Sequence, residues 1–544
     1  MNSVYVNQVG YELNKEKKAF LNFEAKNISL KEEGKVVFTG SLKREKDDDI
    51  SGESIFSFDF SDFDKEGKFT VLADDVDSAS FEIKKNVNDK LLNDLCKCYY
   101  FLRCGSGLDK KYAGPFVHGK CHTKKAKVYG DESVEKDVCG GWHDAGDYGR
   151  YATAGAIAVA HLLYAFRMYP NLKKLSLDIP KDSKYPDLLT EVKVELDFLM
   201  KLQREDGAVF HKVTTMRHAD FMMPEEDTSD LFLFPVSSLA TADVAAVFAL
   251  ASTVYKEYDK EYADAILKAS LKSYDWLSKN KEAVLFKNPE ESNTGEYGEP
   301  EDFSNRFWAA CSLYEVTGEE KYYKDALDQK ENIINYDKSD KYKFYIGNIF
   351  TCFGWIDVAG LGALSMILSN KDTELKSFLK DRMVEEAKRL EKVSSNNAFS
   401  LCMDKKDFIW GSNMELGKYS MVLIVSYEIT KEKKFLALAR NGLNYLLGCN
   451  TMDVSYVTGN GEKAYKNPHL RPTAMDGVDD PWDGLVSGGP NSGLHDEKAS
   501  ATIKKGTAPM KCYLDHVDCY SLNEITIYWN SPFVFTVAGL KELD

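Results

Sequence analysis

Along the first part of the chain, apolar and polar residues alternate in short runs: VYVNQVGY, KKAFLNF, KVVFTGSL, SIFSFDF, GKFTVLA and SASFEI. Successive side chains of a strand point to opposite faces, so this alternation predicts strands with one buried face. Between the runs lie KEEG, DKEG and DDVD, segments of turn-forming residues. The expectation is a small β-sandwich of immunoglobulin type over residues 1–85.

From residue 86 the pattern lengthens. TAGAIAVAHLLYAFRMY, DLLTEVKVELDFLMKLQ, TADVAAVFALASTVYKEY, ADAILKASLKSYDWLSK, NRFWAACSLYEVTG, GLGALSMILS, KYSMVLIVSYEIT and KFLALARNGLNYLLG read as helices. Several are apolar over most of their circumference, and such a helix is buried on more than one side. A succession of them predicts a mainly α domain over 86–544, a double-layered α/α barrel whose loops form a cleft at one end. No repeat of solenoid type is evident, and no apolar run approaches the roughly 18 residues that suggest a membrane span.

Charge narrows the partners. The formal net charge is −16, which disfavours nucleic acid and anionic membranes, since both are met by basic patches. A neutral sugar is compatible with it. The start MNSVYVNQVGYEL lacks the basic, apolar and small-residue segments of a signal peptide. A cytoplasmic protein is expected if the sequence is complete, and a secreted one if a signal was removed. The eleven cysteines are an odd number without a framework spacing, so most read as reduced core residues. A monomer or small homo-oligomer is expected.

Three segments carry candidate chemistry. In GGWHDAGDYGRY, Asp144 and Asp147 stand three apart in a glycine-rich loop where they can orient a water and take its proton; the ordinary reading is a turn with capping aspartates. In SLNEITIYWNSP, Glu524 lies among Ile525, Ile527, Tyr528 and Trp529; desolvation there would suit a general acid, though a helix-capping glutamate looks the same. NPHLRPTAMDGVDDPWDGLVSGGPN offers His469 and Arg471 for hydroxyl groups and Trp482 as a flat face. Cys104, Cys121, His122 and His143 form a tetrahedral N/S donor set on paper. Their spacing is not that of a short zinc finger, so ordinary core cysteines remain the alternative.

Together these segments resemble glycoside hydrolase family 9, the cellulase family. YYFLRCGSGL, YAGPFVHGKCH, HKVTT, MPEEDTSDLFLFPVSSLATAD, FGWIDVAGLG, WGSNM, SYVTGNGEKAYKNPHLRP and VSGGPNSGL follow in the family's order. VYVNQVGY resembles the start of the immunoglobulin-like module of one branch. The resemblance implies an (α/α)6 barrel and inverting hydrolysis of β-1,4-glucans. It implies Asp147 as general base, Asp144 as its partner on the water, Glu524 as general acid, and His469, Arg471 and Tyr520 as sugar-contacting residues. Trp355, Trp410 and Trp482 are the tryptophans expected along the cleft. It also implies a structural zinc at Cys104, Cys121, His122 and His143.

The family commonly binds calcium too, but Ser304 and Asn305 stand where an Asp-Glu pair is usual. Asp302, Asp357, Glu225, Glu226, Asp227 and Asp243 are the other acidic candidates, and calcium stays unassigned. The chain reads Pro468-His469-Leu470-Arg471 where the family often has a second histidine. An exo-acting β-glucosidase or exo-β-glucosaminidase on short oligosaccharides is therefore the alternative to an endoglucanase or cellodextrinase.

Overall fold

The computed structural model describes residues 2–339 and 349–544. The chain forms two compact units. One contains the chain up to Cys98, Ala387–Ile525 and Thr536–Asp544; the other contains Tyr99–Glu386 and Thr526–Phe535.

In the first unit the alternating segments form a two-sheet sandwich. One sheet has the order Val4–Tyr5, Lys18–Leu21, Glu53–Asp59, Leu42–Asp48, all antiparallel. The other runs Gly10–Glu12, Phe81–Lys84, Gly67–Ala73, Ile28–Glu32, Lys35–Thr39, with its first pair parallel. The inward positions fill one core in which Tyr11, Phe58, Phe60, Phe69 and Phe81 pack edge-to-face and tilted. The last strand ends at Lys84 and the first helix begins at Asp89.

The sandwich is tied to the C-terminal part of the same unit by its first residues. Gln8 N donates to Leu447 O at 2.9 Å, and Asn7 Nδ2 to Asn444 Oδ1 at 2.9 Å. Helix Ser412–Thr430, buried through its first four turns, packs on Lys433–Leu446, which buries one stripe only.

The second unit alternates two kinds of helix. Ala152–Met168, Ser238–Tyr255, Phe303–Thr317 and Ala359–Leu368 are buried almost all round. Asp187–Leu202, Lys260–Lys279 and Glu320–Lys338 bury one face. Each buried helix packs on the next, and the first three also pack on an amphipathic partner, an α/α arrangement with an inner and an outer layer. Small residues set the inner spacing: a Cβ at Gly362 would lie 2.9 Å from the Trp308 Cα.

Ser238–Tyr255 is apolar enough, over 18 residues, to cross a membrane by length and composition, which the sequence reading had excluded. It is 94% buried inside the protein instead, because its alanines serve an inner-layer helix. A small sheet, ordered Asp131–Lys136, Ala126–Val128, Phe232–Leu233, Lys212–Thr214, Arg150–Tyr151, ends beside the loop that carries Asp144 and Asp147.

Candidate active site

The loop 140–149 runs straight into the strand Arg150–Tyr151 and the inner helix that follows. Glycines 140 and 141 have φ of 119° and 79°, conformations that L side chains rarely adopt. Two buried carboxylates on the outer helix Asp187–Leu202 brace this loop. Glu195 accepts from Trp142 N at 2.7 Å, and Glu191 from the Trp142 indole at 2.9 Å while pairing with Arg103. Glu195 reaches the loop past Gly155, where a Cβ would lie 2.2 Å from its Oε1.

Asp144 and Asp147 are both buried. Tyr297 O–H donates to Asp144 Oδ2 at 2.6 Å, while Asp144 Oδ1 takes no hydrogen bond from the described residues. Burial holds the Asp144 carboxyl well above the usual range; the Tyr297 bond pulls it back and the Asp147 charge adds to the rise. Asp147 Oδ2 accepts from Gly149 N at 2.9 Å and from Tyr151 O–H at 3.2 Å, and His218 Nδ1 lies 3.4 Å from it. Tyr297 packs against Tyr151, Trp355 and Tyr528, with ring centroids 4.8, 5.5 and 6.0 Å away. Ile527 N donates to the Asp144 carbonyl at 2.8 Å.

Lys212 pairs with Tyr151 across the small sheet. It is fully buried, and its ammonium donates to Asn288 Oδ1, Thr294 Oγ1 and Gly295 O at 2.7, 2.9 and 2.8 Å. Burial lowers it to about 7, against the opposing charges of Asp147 and Glu296.

In the first unit, Glu524 is half-buried at the end of the short helix Tyr520–Asn523. Its backbone is fixed on two sides: Gly488 N donates to Glu524 O at 2.8 Å, and a parallel bridge joins it to His469. His469 donates Nδ1–H to Val517 O at 2.6 Å, which fixes the direction of its ring. Tyr520 packs edge-on against His469 and tilted against Trp410, with centroids 6.0 and 5.2 Å away, and donates to His495 O at 3.0 Å. Trp410 is 40% exposed and offers a face. Arg471 opens the helix Arg471–Met475 and is buried. Trp482, expected to line the cleft, is only 2% exposed and presents no face to solvent. Leu470 is buried as well.

Cys104, Cys121, His122 and His143, all buried, bring one donor atom each to within 4.8 Å of one another. A tetrahedral zinc holds its donors about 3.5 Å apart, so the set fits with small adjustments. His122 keeps Nδ1 without a hydrogen bond and donates Nε2–H to Asp227 Oδ2 at 3.3 Å, as a metal-bound imidazole does to its carboxylate.

The acidic candidates for calcium each make a hydrogen bond, while Asp243 Oδ2, Ser304 Oγ and Asn305 Oδ1 take none from the described residues, so calcium stays unassigned. Asp302 pairs with Arg306 at 2.8 Å, Asp243 accepts from Asn305 at 3.0 Å, and Asp357 Oδ1 accepts from Ala359 N at 2.8 Å. Glu225 and Glu226 accept from the backbone of Gly119 and Met223. Ser304 and Asn305 are buried at the start of their helix. Among the described residues, the Cys–His set is the one group whose potential ligand atoms converge.

Tyr297, Tyr151, His218 and Lys212 were not singled out in the sequence. Each lies far from Asp144 and Asp147 in the chain or looks like an ordinary strand residue. Asp227 was legible only as an acidic residue, although a His–Asp pair behind a candidate metal set is a recognisable signal.

Comparison with known proteins finds relatives along the length of the chain. The sequence pattern of glycosyl hydrolase family 9 matches residues 89–537, and that of the cellulase N-terminal ig-like domain matches 1–78. A cellodextrinase from Butyrivibrio fibrisolvens is 57% identical over 547 residues, covering 100% of both chains. Among solved structures, AaCel9A in complex with cellobiose-like isofagomine superimposes with a TM-score of 0.91 at 32% identity, over 99% of this chain and 100% of that one. A Zn-binding triple mutant of the endoglucanase J30 gives 0.87 at 29% identity, over 98% and 100%.

Proposed function

This chain belongs to glycosyl hydrolase family 9, an (α/α)6-barrel enzyme with an N-terminal immunoglobulin-like domain, and we propose that it hydrolyses short cellodextrins with inversion. Hydrolysis of β-1,4-glucans follows from the family and from its endoglucanase and cellodextrinase relatives. Chain-length preference is the proposal's finer step, and the 57% identity to a cellodextrinase supports it. That likeness also disfavours the exo-glucosaminidase alternative.

In this reading Asp147 takes the proton from the attacking water, Asp144 helps hold that water, and Glu524 protonates the leaving oxygen. An inverting enzyme needs its two carboxyl groups about 6.5–9.5 Å apart, with the water between base and anomeric carbon. The observation that carries the reading is the pair itself. Asp144 Oδ2 is held by Tyr297, and Asp147 Oδ2 by Gly149 and Tyr151 with His218 beside it. Donors of this kind fix a carboxylate's direction. His469, Tyr520 and Trp410, grouped around Glu524, would contact the sugar.

We assign the Cys104–Cys121–His122–His143 cluster to a structural zinc. Four N/S ligands close a tetrahedral site, and a closed site supplies rigidity rather than a reactive water. His143 is adjacent to Asp144, so the bound ion would brace the catalytic loop.

Proton NMR during hydrolysis of cellotetraose tests the mechanism. The new reducing end should appear first as the α-anomer and mutarotate later. A β-anomer as first product would overturn inversion, and no turnover of any cellodextrin would overturn the substrate class.

A further inference from the structure

The mechanism above gives no role to Lys212, a fully buried cation beside the aspartate loop. We propose that Lys212 is a positioning residue for the base, acting on Asp147 through Gly295 and Tyr151. The inference rests on the reading of Asp147 as base.

The geometry is directional. Lys212 Nζ holds the loop 288–295 at three points, the last being Gly295 O at 2.8 Å. The N–H of the same Gly295 donates to Tyr151 Oη at 3.1 Å. A hydroxyl has one proton, and with its oxygen already accepting from Gly295, that proton is steered to its other neighbour, Asp147 Oδ2 at 3.2 Å. Two glycines make room for the contact. A Cβ on Gly149 would sit 2.5 Å from Tyr151 Oη and 2.6 Å from Asp147 Oδ2, and one on Gly295 3.1 Å from Tyr151 Oη. The loop reaches Asp147 by a second route as well, because Asn293 Oδ1 accepts from His218 N at 3.1 Å.

An ammonium buried among Phe234, Phe286 and Tyr151 with only neutral oxygens bonded to it is costly to fold around. A neutral side chain would tether a loop at lower cost. The cation adds a field at Asp147, which the Asp144 carboxyl opposes, and His218 Nδ1 faces the same oxygen at 3.4 Å; Lys212 itself faces Asp147 and Glu296. Loss of the Tyr151 bond or of the Lys212 charge should therefore raise the base's pKa.

The test is the pH profile of kcat/KM on cellotetraose for Tyr151→Phe, Lys212→Met, the double variant and Asp147→Asn. In Tyr151→Phe, kcat should fall about 10-fold with KM within about twofold, and the acidic limb should move up by about 0.5–1 pH unit. Lys212→Met should move the limb the same way and add less than about twofold to the loss once Tyr151 is Phe, because coupled residues are not additive. An unmoved limb in Tyr151→Phe, or losses that multiply in the double variant, would overturn the relay. If Lys212→Met does not fold, the limb of Tyr151→Phe decides alone. Asp147→Asn separates the two readings: if it keeps wild-type rate, the base assignment falls, whereas an inactive Asp147→Asn with an unmoved Tyr151→Phe limb removes only the relay.

Discussion

Replacing Asp147 by asparagine swaps one oxygen for an NH2 group and leaves the shape intact. The amide oxygen can take the place of Oδ2 and still accept from Gly149 N and Tyr151 O–H. Each of those bonds weakens when its acceptor loses charge, by about 0.5–1.5 kcal/mol. Against that, the buried carboxyl of Asp144 no longer faces a second charge. The net effect on stability should be within about 2 kcal/mol, a shift of a few degrees at most in Tm. Catalysis should respond far more, because the amide cannot accept the water's proton. General-base catalysis contributes about 10²–10⁴ in rate, or about 2.7–5.4 kcal/mol of barrier. The fall should appear in kcat, with KM for cellotetraose little changed, since the base acts in the transition state. Initial rates by reducing-end release, beside thermal melts of both proteins, measure the two effects separately. A well-folded Asp147→Asn protein with kcat within threefold of wild type would refute the argument.

Other perturbations read other parts of the site. Asp227→Ala removes the acceptor behind His122 and should weaken zinc binding about 10- to 100-fold in a competitive chelator titration; unchanged affinity would count against the metal assignment. Trp410→Ala deletes a partly exposed face beside Tyr520 and should raise KM for cellopentaose by about 2- to 13-fold, for about 0.5–1.5 kcal/mol of aromatic contact. His211 is held neutral, lowered to about 3 chiefly by burial, with its ring stacked on Phe286. The unfolded chain takes up a proton at His211 below about 6.5 and the folded one only near 3, so stability must fall with pH across that window. Denaturant titrations between pH 6 and 4 should show a slope steeper in wild type than in His211→Gln by about 1.4 kcal/mol per pH unit; equal slopes would contradict it.

Much of the architecture was legible because it rests on local periodicity. The alternation in SIFSFDF gives the strand Glu53–Asp59, and the apolar circumference of TADVAAVFALASTVYKEY gives an inner helix. Asp144, Asp147, Glu524 and the four metal donors sit in short motifs whose residues suffice to raise the idea of chemistry. What surrounds them was not legible. Tyr297 meets Asp144 because a loop folds back over more than a hundred residues of chain, and nothing in GEYGEP marks it. Trp482 failed in the opposite direction: its Gly- and Pro-rich setting reads as exposed loop, yet the segment packs inward with Thr458 Oγ1 donating to the Trp482 carbonyl at 2.7 Å.

Gly155 shows how a residue outside the catalytic loop can govern it. Glycine in mid-helix is ordinarily a weak point, and alanine there ordinarily stabilises by about 0.4–1 kcal/mol. Here the missing methyl is the passage through which Glu195 grasps the Trp142 amide. Thermostability engineering that scores helix glycines for replacement would choose this one and dislodge the brace that holds the loop of Asp144 and Asp147.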